Sequence, residues 1–257
     1  MNHYAILKND SPIFEYDDAQ HAVIMPDHEK LASLPERAVF AFLGDEVERF
    51  ALKHHLPVIS RFQTITKTYP VWKMEYKGKE LALCQAPLGS AAAVQFMDWL
   101  IGYGVKNIIA AGSCGALLPL EENEFLIPVE TLRDEGASYH YLPPSRTVIA
   151  NETAVQAIEQ ALLLHKLPFK KCKTWTTDGF YRETKSMVEY RKEEGCSVVE
   201  MECAGLMACA QFRGAVFGQL LYTADSLANV EQHDMRGFGE ASMPVALQLC
   251  LDAVTLL

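Results

Sequence analysis

The chain has 257 residues, 49% of them hydrophobic, and a formal net charge of −10. So large an apolar share excludes a mostly disordered chain and is ample for one sizeable α/β core. The acidic balance excludes nonspecific binding to nucleic acid or to anionic membranes, but it leaves room for a small anion held by local positive potential.

The first 36 residues are polar and punctuated by proline ("NDSPIFEYDDAQHAVIMPDHEKLASLPE"), and read as an arm before the first core strand. Residues 37–257 then read as one domain. "AVFAFLG" (38–44) predicts a buried strand ending at Gly44, and "DEVERFALKHH" a helix. "VWKMEY" and "ELALCQA" flank Lys77-Gly78-Lys79, a hairpin signal. "GSAAAVQFMDWLIGYG" predicts an amphipathic helix closed by Gly104, and "NIIAAG" the next strand. "EFLIPVETL" reads as extended, and Asn151 caps a helix over "ETAVQAIEQALLLHK". "ETKSMVEYRKEEG" reads as a polar helix, and "SVVE" leads into a helix at "CAGLMACAQF". "AVFGQLLYTA" predicts a long buried strand, and "SMPVALQLCLDAVTLL" the last helix. This alternation implies a mainly parallel sheet covered on both faces, with ligands beyond the carboxyl ends of its strands.

The seven cysteines (84, 114, 172, 196, 203, 209, 250) form no CxxC pair and sit mostly in apolar runs. They read as reduced core residues of a cytoplasmic protein. No HExxH or other metal-ligand spacing is present in the sequence. "MNHYAILKND" has no basic region followed by an apolar one, so neither a signal peptide nor a membrane association is expected.

Four segments carry candidate chemistry. "AAGSCGALLP" (110–119) reads as a Gly-x-x-Gly turn after a buried strand. Such a turn is structural by default, or it can face an anion with its amides and the Ser113 hydroxyl. "VVEMECAG" places Glu200 and Glu202 where a strand meets a helix. There a carboxylate can cap the helix or accept both hydroxyls of a vicinal diol. "LLYTADSLAN" ends an apolar strand at Asp225, either a turn cap or a partly desolvated acid able to protonate a leaving group. "TTDGFYRETKS" (176–186) puts Phe180 and Tyr181 in a loop, as packing anchors or as a stacking face for a base.

Together with "RDEGASYHYLPP" (133–144), and in their order and spacing, these segments resemble the nucleoside phosphorylase family of hexameric purine nucleoside phosphorylases and uridine phosphorylases. The "VVEMECAG" segment corresponds to that family's Glu-Met-Glu signature. The resemblance implies a three-layer α/β/α sandwich around a twisted mixed sheet. It also implies a homo-oligomer, a trimer of dimers, with active sites near dimer interfaces. It implies that Glu202 grips the ribose 2′- and 3′-hydroxyls, Met201 packs on the sugar, Glu200 supports them, and Phe180 stacks on the base. Ser113 and Gly44 would line the phosphate position, with Lys67 near the cation that a neighbouring subunit lends. His3 and His21 are candidates for the 5′-hydroxyl. Asp225 stands where the purine enzymes protonate N7 of the leaving base. Thr184 and Ser186 stand where uridine phosphorylases carry the glutamine and arginine that read uracil, so purine nucleosides are favoured; Arg182 or Lys185 are possible replacements for those contacts.

The sequence departs from that family at the phosphate. Ala110 replaces a usual arginine, and "GDEVER" offers only a displaced Arg49, leaving Arg133, Arg236 or Lys67 as substitutes. The expectation is a nucleoside phosphorylase, a pentosyltransferase, with inorganic phosphate as co-substrate and no cofactor. Three alternatives accompany it: a uridine phosphorylase, a nucleosidase of the methylthioadenosine/adenosylhomocysteine type with Glu46 activating water, and a non-catalytic nucleoside-binding protein.

Overall fold

The structure is a computed structural model and describes residues 6–257. His3 lies outside the described residues. Ten strands and six helices succeed one another along the described chain. The strands are β1 (Arg37–Ala41), β2 (Val58–Gln63), β3 (Thr68–Tyr76), β4 (Lys79–Gln85), β5 (Asn107–Ala116), β6 (Phe125–Asp134), β7 (Thr147–Ile149), β8 (Phe169–Thr177), β9 (Cys196–Glu200) and β10 (Val216–Ser226). The helices are α1 (Glu46–Lys53), α2 (Ser90–Gly102), α3 (Glu152–Leu164), α4 (Lys185–Glu193), α5 (Cys203–Arg213) and α6 (Met243–Thr255).

Side chains alternate across the strands, so each central strand feeds two cores. In β1, Ala38 and Phe40 join the core beneath α2 and α5, while Val39 and Ala41 join the core beneath α1, α3 and α6. Ile108 and Ala110 of β5 face the first core, and Ile109 and Ala111 the second. Three layers result, α/β/α, in a single mixed sheet. β1 runs parallel to β4 and β5, β5 parallel to β10, and β6 parallel to β8. The β3–β4, β2–β3, β6–β10 and β5–β9 pairs are antiparallel. β8 also pairs with β9, in parallel. Strands β5, β10, β6, β8 and β9 therefore close on themselves as a ring, and β1, β4, β3 and β2 extend from β5 as an open flap.

Local chemistry accounts for several boundaries. Lys77 and Gly78 both have positive φ (50° and 73°), the requirement of a two-residue hairpin turn whose twist suits its strands. Asn151 caps α3 by accepting from the Ala154 amide at 3.2 Å. The left-handed Gly214 (φ 71°) terminates α5.

Three strands escape the sequence pattern. β2 and β7 are short and half exposed, and β8 begins with lysines in "FKKCKTWTT". One element is corrected. The segment 112–115 is not a turn: β5 continues through it in extended conformation to Ala116. Its glycines admit close neighbours instead. A Cβ on Gly115 would stand 2.9 Å from Leu227 Cδ1, 3.1 Å from Val199 Cγ1 and 3.3 Å from Asp225 Oδ1.

Residues 6–36 contribute no strand to the sheet and lie along the domain surface. Phe14 meets the Tyr139 ring edge-on at 5.1 Å, Arg213 donates to the Gln20 carbonyl at 3.1 Å, and the Leu34 amide donates to the Tyr103 carbonyl at 2.8 Å.

Candidate active site

The carboxyl ends of β5, β9 and β10 converge because the ring makes them neighbours. Ser113 of β5 pairs with Tyr222 of β10, and Gly115 of β5 with Val199 of β9. A cavity of about 750 Å³ opens there, and Ser113, Glu200, Met201, Glu202, Phe180 and Asp225 all line it. Gly44, Glu46 and Lys67 do not line it. Gly44 turns the chain between β1 and α1 with φ 53°. Glu46 is paired with Arg49 at 2.6 Å. Lys67 lies over the Tyr69 ring at 5.1 Å. His21, in the arm, is also outside the lining.

The two glutamates are built differently. Glu200 Oε2 accepts from the amides of Glu202 (2.8 Å) and Cys203 (2.7 Å) at the start of α5, and Oε1 accepts from the Thr176 hydroxyl. The Ala204 amide in turn donates to Thr176 Oγ1 at 3.0 Å. Thr176 and Glu200 together satisfy amides that the first turn of a helix leaves open. Glu202 has one such partner: Oε1 accepts from the Gly89 amide at 2.6 Å, and Oε2 makes no hydrogen bond among the described residues. Of the two glutamates, Glu202 keeps an oxygen free to accept from a ligand. Burial raises both carboxyls above the ordinary range, and the adjacent Glu200 charge pushes Glu202 further up. Ser90 fixes the intervening residue by donating to the Met201 carbonyl at 2.6 Å.

Phe180, 44% exposed, stands in a short 3-10 turn with Tyr181 edge-on at 5.0 Å. The same loop is anchored by Asp178, which accepts from the Gly136 amide at 2.9 Å and also lines the cavity. Thr184 follows as the cap of α4.

Asp225 is buried, with Oδ2 bonded to His233 Nε2 at 2.7 Å. Oδ1 makes no hydrogen bond among the described residues and is the oxygen closest to Gly115. Glu183 stands nearby, its carboxyl pushed up to about 7 by burial and by the Asp225 charge. A second chamber of about 500 Å³ adjoins the cavity at this end, sharing Phe180, Asp225 and Phe238 and adding Lys185 and His233. Nothing in "NVEQHDMRGFG" distinguishes His233 or Phe238 from ordinary loop residues. They enter the site through pairing of Ser226 with Asp234, which folds the loop back against β10.

The Ser113 end is poor in positive charge. Ala110 is fully buried in β5 between Phe40 and Gln219. Arg133 is buried, bonded to Ser138, Leu142, Pro143 and Ser145 and stacked over Tyr139 at 4.2 Å. Arg236 donates to the Leu120 carbonyl at 2.8 Å. Arg182, from the Phe180 loop, is the arginine that lines the cavity. Cys114 lines it too, but burial raises its thiol well above the ordinary value, which disfavours a thiolate nucleophile. Among the described residues no group of three or more His, Cys, Asp or Glu could hold a metal ion, and no helix is long and apolar enough to cross a membrane.

Fold and cavity define an α/β protein with one deep, carboxylate-lined cleft at the ends of neighbouring strands. The chain belongs to the phosphorylase superfamily, a family of enzymes, whose model matches residues 36–254. It is 25% identical over 198 residues to a purine nucleoside phosphorylase DeoD-type of Dichelobacter nodosus, covering 74% of this chain and 81% of that protein. Its fold is similar to that of uridine phosphorylase from Vibrio fischeri (TM-score 0.75, 18% identity, 91% of this chain and 99% of that one). It is also similar to that of AMP nucleosidase from Bacteroides thetaiotaomicron (TM-score 0.70, 23% identity, 87% and 89%).

Proposed function

We infer that the protein cleaves the N-glycosidic bond of a purine nucleoside, with phosphate as acceptor. The observation that carries this reading is the pairing, in one cavity, of a free oxygen on Glu202 with a free oxygen on Asp225. Glu202 Oε2, beside the amide-bound Oε1, accepts from the sugar diol, with Met201 packed on the ring. Phe180 stacks on the base. As the C1′–N bond lengthens, positive charge builds on the sugar and its electron pair moves into the base. Asp225 Oδ1–H gives its proton to the imidazole-ring nitrogen of the purine, so the base leaves neutral. A phosphate oxygen near Ser113 forms the new bond to C1′, giving free base and (deoxy)ribose 1-phosphate. Neither a metal nor an organic cofactor has a part in this scheme. Lys67, exposed at the β2–β3 tip, suits a phosphate contact made across a homo-oligomer interface.

A second reading, hydrolysis, is favoured by one feature: the Ser113 end has no arginine at Ala110, and Arg133 is committed elsewhere. A dianion without bidentate cationic partners binds weakly. Base release from inosine, adenosine and uridine, measured with and without phosphate, separates the two. Phosphorolysis requires strong phosphate dependence and a purine preference. Equal rates in both conditions would sink it in favour of water, and faster release of uracil would overturn the purine assignment.

A further inference from the structure

Asp225 is almost wholly enclosed, with 9% of its side chain exposed, whereas the side chain of its partner His233 is 45% exposed. Once the acid has given its proton to a departing base it must regain one before the next turnover. Oδ1 lies on the side of Gly115, where a Cβ would stand 3.3 Å from it, and is the oxygen that serves the base. The other oxygen, Oδ2, meets His233 Nε2 at 2.7 Å.

Several contacts hold the imidazole there. Ser226 and Asp234 exchange backbone hydrogen bonds at 2.9 and 3.0 Å, bringing the chain back alongside the end of β10. Beyond them, Arg236 and Phe238 take positive φ (49° and 55°), a conformation that bulky residues adopt only where their surroundings impose it. The Glu122 carboxylate imposes it by accepting from the Gly237 and Gly239 amides at 2.9 and 2.8 Å. The strap from Leu227 to Glu240 is thus fastened on both sides of His233, and the histidine faces the second chamber.

We propose that His233 is a positioning residue that also reprotonates Asp225 from the second chamber. This rests on Asp225 acting as the acid and serves either acceptor, phosphate or water. After base release, the Nε2–H bond breaks and its proton passes to Asp225 Oδ2; a half-turn of the carboxyl about Cβ–Cγ then brings that O–H to the base side, and the imidazole takes a proton from solvent in the chamber. An arginine here can only hold the carboxylate, whereas an imidazole has two ring nitrogens and can receive a proton on one and pass one on from the other. The charged groups around it are Asp225 from β10, Glu183 and Lys185 from the loop before α4 and its first turn, and the strap's own Glu231 and Asp234. Glu231 is bound by Lys185, and Asp234 lies 3.5 Å from Arg236.

The test compares inosine with 7-methylinosine, whose base is already cationic and leaves without a proton. Wild type, H233Q and H233A are assayed across pH about 6 to 9, with melting temperatures as a check on folding. General acid catalysis contributes about 10²-fold or more, so H233A should lower kcat on inosine by about that factor and lower it on 7-methylinosine far less. H233Q keeps a donor toward Oδ2 but cannot titrate. Its pH profile of kcat on inosine should therefore differ from that of wild type. Equal losses on both substrates, or a wild-type pH profile in H233Q, would overturn the relay. A wild-type enzyme that cleaves neither nucleoside would sink the functional reading and the relay with it.

Discussion

The Gly89 amide donates to Glu202 Oε1 at 2.6 Å, and through this bond the start of α2 fixes the carboxylate at the start of α5. Oε2 of Glu202 is thereby turned toward the cavity. Two helix starts 113 residues apart in the sequence thus set the direction of one oxygen.

In the proposed reaction that oxygen holds the sugar. Two charge-assisted hydrogen bonds to a diol are worth about 1.5–3 kcal/mol each, so Glu202→Gln should lower kcat/KM for a ribonucleoside by about 100-fold or more. Burial and the Glu200 charge hold the Glu202 carboxyl high in the folded protein. The folded state therefore binds the proton more tightly than the unfolded chain, and stability falls as pH rises from the ordinary carboxylate range. Ligand-free Glu202→Gln should match or exceed wild-type stability at pH 8 while losing activity. Urea midpoints at pH 5 and 8 check this; a variant less stable than wild type at pH 8 contradicts it.

Glu200 belongs to the frame that carries the site. Thr176→Val would leave Glu200 Oε1 and the Ala204 amide without their partner. An unsatisfied buried network costs about 3 kcal/mol, which for a chain of this size lowers Tm by roughly 6–12 °C. Calorimetry measures it, and a shift below about 2 °C would show that this cap contributes little to stability.

Gly115 makes room for Asp225, the acid of the proposed reaction. A methyl group there would stand 3.3 Å from Asp225 Oδ1 and 2.9 Å from Leu227 Cδ1, so Gly115→Ala must displace one or the other. Base release should fall by about tenfold or more, since small misplacements of catalytic groups are costly. The fall should lie in kcat rather than in KM, because Glu202, the proposed sugar ligand, is untouched. A selective rise in KM would show that Gly115 serves binding instead.

Asp252, far from the cavity, accepts from Tyr76 (2.8 Å), His165 (2.6 Å), Gln248 (3.3 Å) and Lys77 (2.5 Å), tying the β3–β4 hairpin to α3 and α6. Burial alone would raise its carboxyl, but these partners outweigh burial and bring it down to about 2. A depressed carboxyl stabilises the fold above its unfolded value and loses that contribution as pH falls through the folded one. Asp252→Asn should therefore be less stable than wild type at pH 7, with the gap closing between about pH 4 and pH 2. A gap that stays constant through the acid range would refute the linkage.

The helices were legible because their apolar faces repeat at helical spacing, as in α3, or because small residues run together, as in α5. β8 was not, since "FKKCKTWTT" begins with lysines that leave the sheet surface before the buried threonines and Trp175. Glycine ordinarily marks turns, and so 112–115 read as one; what those glycines provide is room for Phe42, Leu227, Val199 and Asp225. At "VVEMECAG" the structure separates the two glutamates: Glu200 accepts amides at the start of the helix, and Glu202 keeps one oxygen without a partner among the described residues. His233 was invisible because its meaning depends on the return of the chain at Asp234, a contact without a sequence pattern.

The ring of β5, β10, β6, β8 and β9 has a further consequence for local motion. Each of its five members has a partner on either side, whereas the flap ends at β2, whose outer edge is unpaired among the described residues. Fluctuations that expose backbone amides begin where partners are missing. In deuterated buffer the β2 amides should exchange early, and those of Ala110, Val199 and Tyr222 only when the whole domain opens. The cleft thus sits on the slowest-opening part of the molecule.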